Sequence, residues 1–187
     1  MHPPERKPSP RELAELALAD LCDGFLPRDD WTVGVEPVEP DFMPDPFCSL
    51  LLHHDHMTTR LGQHYGSPVE LRVLQSQQTE DEYNRLIVLN PRGSKQIVEV
   101  GVVRINLPEV PSAARSEVLA MEKPLGEILI THKVLRRIDP RWYYRFLPTS
   151  PLSQHFGTMH AATYGRWGVI YCDHRPAIRL LEIVSGV

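Results

Sequence analysis

Apolar side chains recur at helical spacing in the first third of the chain. Residues 10–24, PRELAELALADLCDG, place Leu13, Leu16, Ala17 and Leu21 at helical spacing between an initial proline and a final glycine, which predicts an amphipathic helix. A second helix is predicted after Asp45 and Pro46, where a cap residue and a first-turn proline precede an apolar face. That face comprises Phe47, Leu50, Leu51 and His54. The proline-punctuated segment 35–46 between the helices is predicted to be an extended connector.

The apolar period changes to two after the Gly-Ser-Pro break at 66–68, which predicts strands. The segments in which apolar residues alternate with polar ones or follow one another are VELRVLQSQQ, NRLIVLN, KQIVEVGVVRINLP and the two segments around DHRP. The PRGS turn predicts a hairpin, and so does DHRP. Residues 112–129 have helical spacing, and Pro124 divides them into two short helices. The order of elements predicts an α+β fold, a mainly antiparallel sheet with helices packed on one face.

Composition narrows the class of protein. The 187 residues suit one domain, so we expect a disordered, proline-rich tail at 1–9 and a single domain at 10–187. A formal net charge of -4 argues against nucleic-acid partners and anionic membranes, and no apolar run reaches the length of a membrane span. Three cysteines without CxxC spacing indicate neither a disulfide framework nor a thiolate zinc site. We therefore expect a cytoplasmic monomer or homodimer.

Alternation places three charged residues on apolar strand faces. Arg104 shares a face with Val98, Val100 and Val102; Glu182 with Ile178, Leu180 and Val184; Arg85 with Ile87 and Leu89. A buried unpaired charge is costly, so each needs a partner unless a β-bulge sends it to solvent. If all three line one cavity, one positive charge remains to bind an anion, and the arginine fork matches a carboxylate.

The segment LLHHDHMTTRL at 51–61 gathers His53, His54 and His56 and raises the question of a metal. The usual i, i+4 pair is broken at Met57, and no further carboxylate is spaced to complete a site. Cys48 has no placed base that would make it a nucleophile. We expect solvated histidines on the polar side of a helix, no metal and no cofactor; a metalloenzyme is the rival hypothesis.

Six short motifs in order make residues 49–184 resemble the chorismate lyase family, also called chorismate-pyruvate lyase. The motifs are SLLLHHDHMTTRLGQHYG, NRLIVLN, VRINLP, EKPLGEIL, YGRWG and LLEI. The resemblance implies an antiparallel sheet with two helix-turn-helix flaps over a buried ligand site. It also implies a carbon-oxygen lyase that eliminates pyruvate from chorismate and leaves 4-hydroxybenzoate, a step in aromatic acid biosynthesis.

The same resemblance assigns roles to individual residues. Arg85 would grip the ring carboxylate and Glu182 would hydrogen-bond the oxygen at the opposite end of the ring, and these two are the expected catalytic residues. The backbone at Met57 and Leu125 would complete the carboxylate site. Arg104 would serve the second carboxylate or the exit path of the product.

The sequence also departs from the family pattern. Leu86 stands where the family has an acidic residue, Leu181 where a threonine is familiar, and the insert 142–165 is longer than expected. The alternative function is a non-catalytic module that binds an aromatic acid, because effector domains of some bacterial transcription regulators share this fold.

Overall fold

The computed structural model describes residues 7–27, 30, 32–157 and 161–186, which form five α-helices and one sheet of seven strands. In chain order the elements are α1 Pro10–Cys22, β1 Val35–Val38, α2 Phe47–Leu51, α3 Met57–Tyr65, β2 Val69–Gln78, β3 Glu82–Pro91, β4 Glu99–Asn106, α4 Ser112–Ala120, α5 Leu125–Thr131, β5 Arg136–Phe146, β6 Thr163–Cys172 and β7 Arg175–Val184. The predicted α+β class is confirmed. None of the helices in these ranges is long and apolar enough to span a membrane.

The strands pair antiparallel throughout, in the order β1-β5-β6-β7-β4-β3-β2. The predicted β3–β4 and β6–β7 hairpins are confirmed. β5 and its edge partner β1 were not predicted. β1 belongs to the expected connector, and β5 mixes arginines and one proline with aromatic residues, so neither segment alternates cleanly.

Both faces of the sheet are covered, which corrects the expectation of helices on one face only. Helix α1 packs on one face, against side chains that include Leu86, Val100 and Leu181. Helices α2 to α5 cover the other face, where Ile87 and Leu180 point. The central strands are therefore apolar on both sides, and alternation along one strand does not tell which face a residue occupies.

Helix α1 is capped at its start and hydrogen-bonded to the sheet along its length. Ser9 and Glu12 form a reciprocal capping box before its first turn. Tyr144 donates a hydrogen bond from its hydroxyl to the Ala14 carbonyl at 2.7 Å. Ser9 belongs to the expected tail but is part of this cap, and residues 1–6 of that tail lie outside the described residues.

Arg104 closes the other end of α1, so its predicted place beside Arg85 and Glu182 is wrong. Its Nε donates to the Leu21 carbonyl at 3.0 Å and its Nη2 to the Asp23 carbonyl. The strand register gives the reason. Arg85 lies opposite Val103 and Glu182 opposite Gly101, whereas the neighbouring position 104 points to the other face.

Substitution of Arg104 by Met should lower the free energy of unfolding by about 1–2 kcal/mol, because two carbonyls at the end of α1 lose a charged donor. Thermal denaturation should show a fall in Tm of about 2–8 °C. The control is Arg179→Met, which removes a half-exposed ion pair to Asp20 on the same helix and should cost less than about 1 kcal/mol. Equal losses in the two variants would contradict the capping role.

Candidate functional site

A small, partly enclosed cavity of about 50 Å³ lies between the sheet and the helices α3 and α5. Four of the five residues predicted to form the site line it: Met57, Arg85, Leu125 and Glu182. The other lining residues are His56, Thr58, Leu71, Ile87, Leu89, Glu99, Val103, Pro124, Gly126, Ile170 and Leu180. Residues far apart in the sequence thus meet around one enclosed space.

Two helix pairs close the cavity. Met57 is the first residue of α3, and Leu125 is the first residue of α5. Helix α2 ends at Leu51, before the predicted position of His54, and the turn that follows leads into α3. The pairs meet at Gly126, where an added Cβ would lie 2.9 Å from both His56 Cγ and Thr58 Oγ1. We call α2–α3 and α4–α5 the two flaps.

Arg85 is a buried cation at the cavity wall. It projects from β3 with 1% of its surface exposed, and its Nε and Nη1 have no hydrogen-bond partner among the described residues. Its guanidinium carbon lies 5.9 Å from the centre of the Tyr83 ring. Burial lowers the pKa of Arg85, but a guanidinium stays charged in proteins. An uncompensated buried charge of this kind calls for an anionic ligand.

Glu182 is paired with a second buried arginine. Arg166 Nε donates to Glu182 Oε2 at 2.6 Å, and the same guanidinium donates to the carbonyls of Leu51, His53 and Asp55 at 3.3, 2.8 and 3.2 Å. This ion pair therefore fixes the turn before α3 to β6 and β7. The sequence contained Arg166 in the YGRWG motif, but β6 is apolar on both faces and gave no reason to single it out.

Glu99 is a second carboxyl in the cavity that was not predicted. It is 3% exposed, and its Oε2 has no hydrogen-bond partner within the described part of the chain. Burial and the neighbouring Glu182 carboxylate raise the pKa of Glu99 well above its usual range. The signal in the sequence is the alternation of β4, which puts Glu99 on the same face as Gly101 and Val103.

The prediction of solvated histidines is wrong for His53 and His56, which are buried. His53 Nε2 lies 2.6 Å from the Leu50 carbonyl, and Arg136 Nε donates to His56 Nε2 at 2.5 Å. Burial, followed by the charge of Arg166 for His53 and of Arg136 for His56, lowers each pKa to about 4. Within the described ranges, no three His, Cys, Asp or Glu residues are placed to hold a metal ion.

The charges of the cavity sum to one positive unit. Arg166 pairs with Glu182, burial favours the neutral forms of Glu99 and His56, and Arg85 is left as the cation without an ion pair among the described residues. The sequence predicted one excess positive charge if Arg85, Arg104 and Glu182 lined one cavity. Arg104 does not line it, and the arginine that pairs with Glu182 is Arg166. This balance suits a ligand with one carboxylate inside the cavity.

An open groove of about 970 Å³ lies on the outer side of His56, which also lines the cavity. Three cations border it: Lys133, Arg136 and Arg137. Arg137 stacks on the Tyr171 ring at 4.3 Å from its centre. The acidic side chain of the groove, Asp55, pairs with Arg60 at 3.4 Å. The outer groove is therefore electropositive beside the cavity.

Comparison with known proteins supports the fold. No protein-family model matches the sequence, and no curated protein matches it either. Among solved structures, PhnF from Mycobacterium smegmatis is similar, with a TM-score of 0.50 and 14% sequence identity. The likeness covers 72% of this chain and 65% of the PhnF chain, so this chain matches less than two thirds of PhnF. At that identity the likeness concerns the fold alone.

The two buried arginines should respond oppositely to the same substitution. Arg85→Met removes an unpaired buried charge and should raise the free energy of unfolding by about 1–4 kcal/mol. Arg166→Met leaves Glu182 buried without its cation and should lower it by about 3–5 kcal/mol. Urea denaturation of the ligand-free variants measures both values. Destabilisation of the protein by Arg85→Met would show that Arg85 has a structural partner.

Proposed function

We propose that this protein is a chorismate-pyruvate lyase that eliminates pyruvate from chorismate without a metal or cofactor. The observation that carries the proposal is the meeting of Met57, Arg85, Leu125 and Glu182 around one enclosed cavity. These are the residues for which the resemblance to chorismate lyases implied a shared site. The reaction needs no nucleophile, since aromatisation of the ring supplies the driving force.

In the proposed complex, the ring carboxylate of chorismate pairs with Arg85. The backbone at the starts of α3 and α5 completes this end, because the first amides of a helix have no partner within the helix. The ring hydroxyl faces Glu182, held by Arg166 as an acceptor. The ring carbon that carries the hydroxyl loses its hydrogen as a proton, and the electrons of that bond form the aromatic ring as the ether carbon-oxygen bond breaks. The departing enolpyruvate takes up one proton and tautomerises to pyruvate, so no proton is gained or lost overall. Positioning and electrostatic stabilisation are the contributions required of the protein.

The second carboxylate of chorismate needs a cation other than Arg104, which lies on the far face. The electropositive outer groove supplies Lys133 and Arg136 on the other side of His56. The same charges would attract a dianion to the mouth of the site. The flaps must part for entry, because the cavity of about 50 Å³ is smaller than the roughly 150 Å³ cavity that accommodates benzene.

The departures from the family pattern at Leu86 and Leu181 do not weigh against this function. Both side chains are fully buried in the core beneath α1, on the opposite face of the sheet from the cavity. At both positions a leucine stands where the family has a polar residue, and this leucine packs in the core beneath that helix. The residues that line the cavity are therefore unaffected by these two changes.

A non-catalytic module that binds an aromatic acid is the second candidate. The fold likeness to PhnF fits this function as well as it fits a lyase. An enclosed cavity with one unpaired arginine serves binding and catalysis alike. The two functions differ in one respect, the release of pyruvate.

Purified protein incubated with chorismate should release pyruvate and 4-hydroxybenzoate at equal rates, with or without a chelator. Arg85→Met should lower kcat/KM at least about 100-fold, because the cation that positions the ring carboxylate is lost. Glu182→Gln should lower kcat by about 100-fold or more. Arg104→Met should leave turnover unchanged and is the matched arginine control.

Three results would change the assignment. Binding of 4-hydroxybenzoate that depends on Arg85 without pyruvate release would favour the binding module. Loss of activity with the chelator would revive the metalloenzyme hypothesis. Full activity of Glu182→Gln would remove Glu182 from the mechanism.

A further inference from the structure

Glu99 is a buried polar group that the reaction described above does not use. It faces the cavity from β4, between Arg85 on β3 and Glu182 on β7. An added Cβ at Gly101 would lie 3.4 Å from Glu99 Oε1, so the carboxyl lies over this glycine, opposite Glu182 in the register. Its Oε2 is fully buried and has no partner among the described residues. A buried polar atom without a partner is costly and indicates a ligand contact.

The two carboxyl groups differ in protonation because they share one cation. Arg166 is engaged by Glu182 and by three backbone carbonyls of the turn before α3. Of two neighbouring buried carboxyls, the one without a cation holds its proton. Burial and the Glu182 charge raise the pKa of Glu99 accordingly, with Arg166 acting in the opposite direction. The pair thus presents one acceptor, Glu182, and one donor, Glu99.

A hydroxyl group is the ligand group that satisfies both carboxyls, because it donates one hydrogen bond and accepts another. A ring hydrogen does neither, and a methyl ether only accepts. Arg85 and Glu182 lie on β3 and β7, which both pair with β4, and they are offset by two residues along the strands. Their Cα atoms are therefore roughly 12 Å apart. This distance leaves room for a ring between the two side chains once the flaps part.

We propose that Glu99 is a specificity-determining hydrogen-bond donor, and that the cavity selects ring carboxylic acids that carry a hydroxyl group over the same acids without one. The inference rests on the proposed function for the orientation of the ligand, with its carboxylate at Arg85. It goes further by assigning a role to a residue outside the set that the family resemblance implies.

Affinity should also depend on pH in a defined direction. The charged and titratable groups that face Glu99 are Glu182 from β7, Arg166 from β6, Arg85 from β3 and His56 before α3. Burial and the Glu182 charge raise the pKa of Glu99, so Glu99 loses its proton only as the pH rises above the usual range of a carboxyl group. Affinity for a hydroxylated acid should fall there, because the donor disappears and a second carboxylate faces the site.

The test is titration calorimetry of the full chain with 4-hydroxybenzoate, 4-methoxybenzoate and benzoate, using the natural protein, Glu99→Gln and Glu99→Met. The natural protein should bind 4-hydroxybenzoate at least about tenfold more tightly than either analogue. Glu99→Gln retains a donor and should keep that preference within about threefold, without the loss of affinity at high pH. Glu99→Met should reduce the preference over benzoate by at least about threefold, because the donor is lost while Glu182 still accepts from the hydroxyl. Melting curves of both variants confirm that each is folded.

Three results would overturn the inference. The first is an unchanged preference in Glu99→Met, and the second is loss of the preference in Glu99→Gln. The third is failure of the natural protein to bind 4-hydroxybenzoate. The chorismate assay tests the proposed function separately. A preference that depends on Glu99 without pyruvate release would retain this inference and reject the lyase. Pyruvate release together with a preference that does not depend on Glu99 would support the lyase and reject this inference.

Discussion

The geometry of the site depends on the buried ion pair between Arg166 and Glu182. One guanidinium binds a carboxylate on β7 and three carbonyls of the turn that precedes α3. These contacts engage all three of its side-chain nitrogens, so Glu99 is left without an ion pair among the described residues. Arg85 consequently remains the unpaired cation, and burial beside Glu182 favours the protonated form of Glu99. The electrostatic character of the cavity follows from how this one arginine is shared.

The unsatisfied groups at the site cost stability that the rest of the fold must offset. Arg85 and Glu99 are both buried with unpartnered atoms. The sheet that carries them is packed on both faces, with α1 on one side and the flaps on the other. Burial of apolar side chains on both faces at about 25 cal/mol per Å² provides the stabilisation that allows polar groups to remain unpaired at one point. Such exceptions are expected where a protein binds its ligand.

The sequence predicted much of the fold because the relevant signals are local. Alternation and turn residues identified the β3–β4 and β6–β7 hairpins, and Pro124 marked the division between α4 and α5. Alternation also found that Arg85 and Glu182 point onto apolar faces. It could not separate Arg104 from them, because that requires the pairing between strands rather than the pattern within one. For the same reason Arg166, on a strand that is apolar on both faces, emerged only from the three-dimensional structure.

The close contact between the flaps at Gly126 has a kinetic consequence. Because Gly126 packs against His56 and Thr58, motion of α5 away from the sheet removes a contact of the α3 flap as well. Under the proposed function, entry and departure of the ligand would then share one opening event, whose frequency would set a common upper limit on both rates. Ligands of different affinity would then bind at similar rates, because the opening frequency of the empty protein limits binding. They would differ chiefly in how long each stays bound. Gly126 has no side chain with which to contact the ligand. It would nevertheless help to determine how long the ligand stays bound.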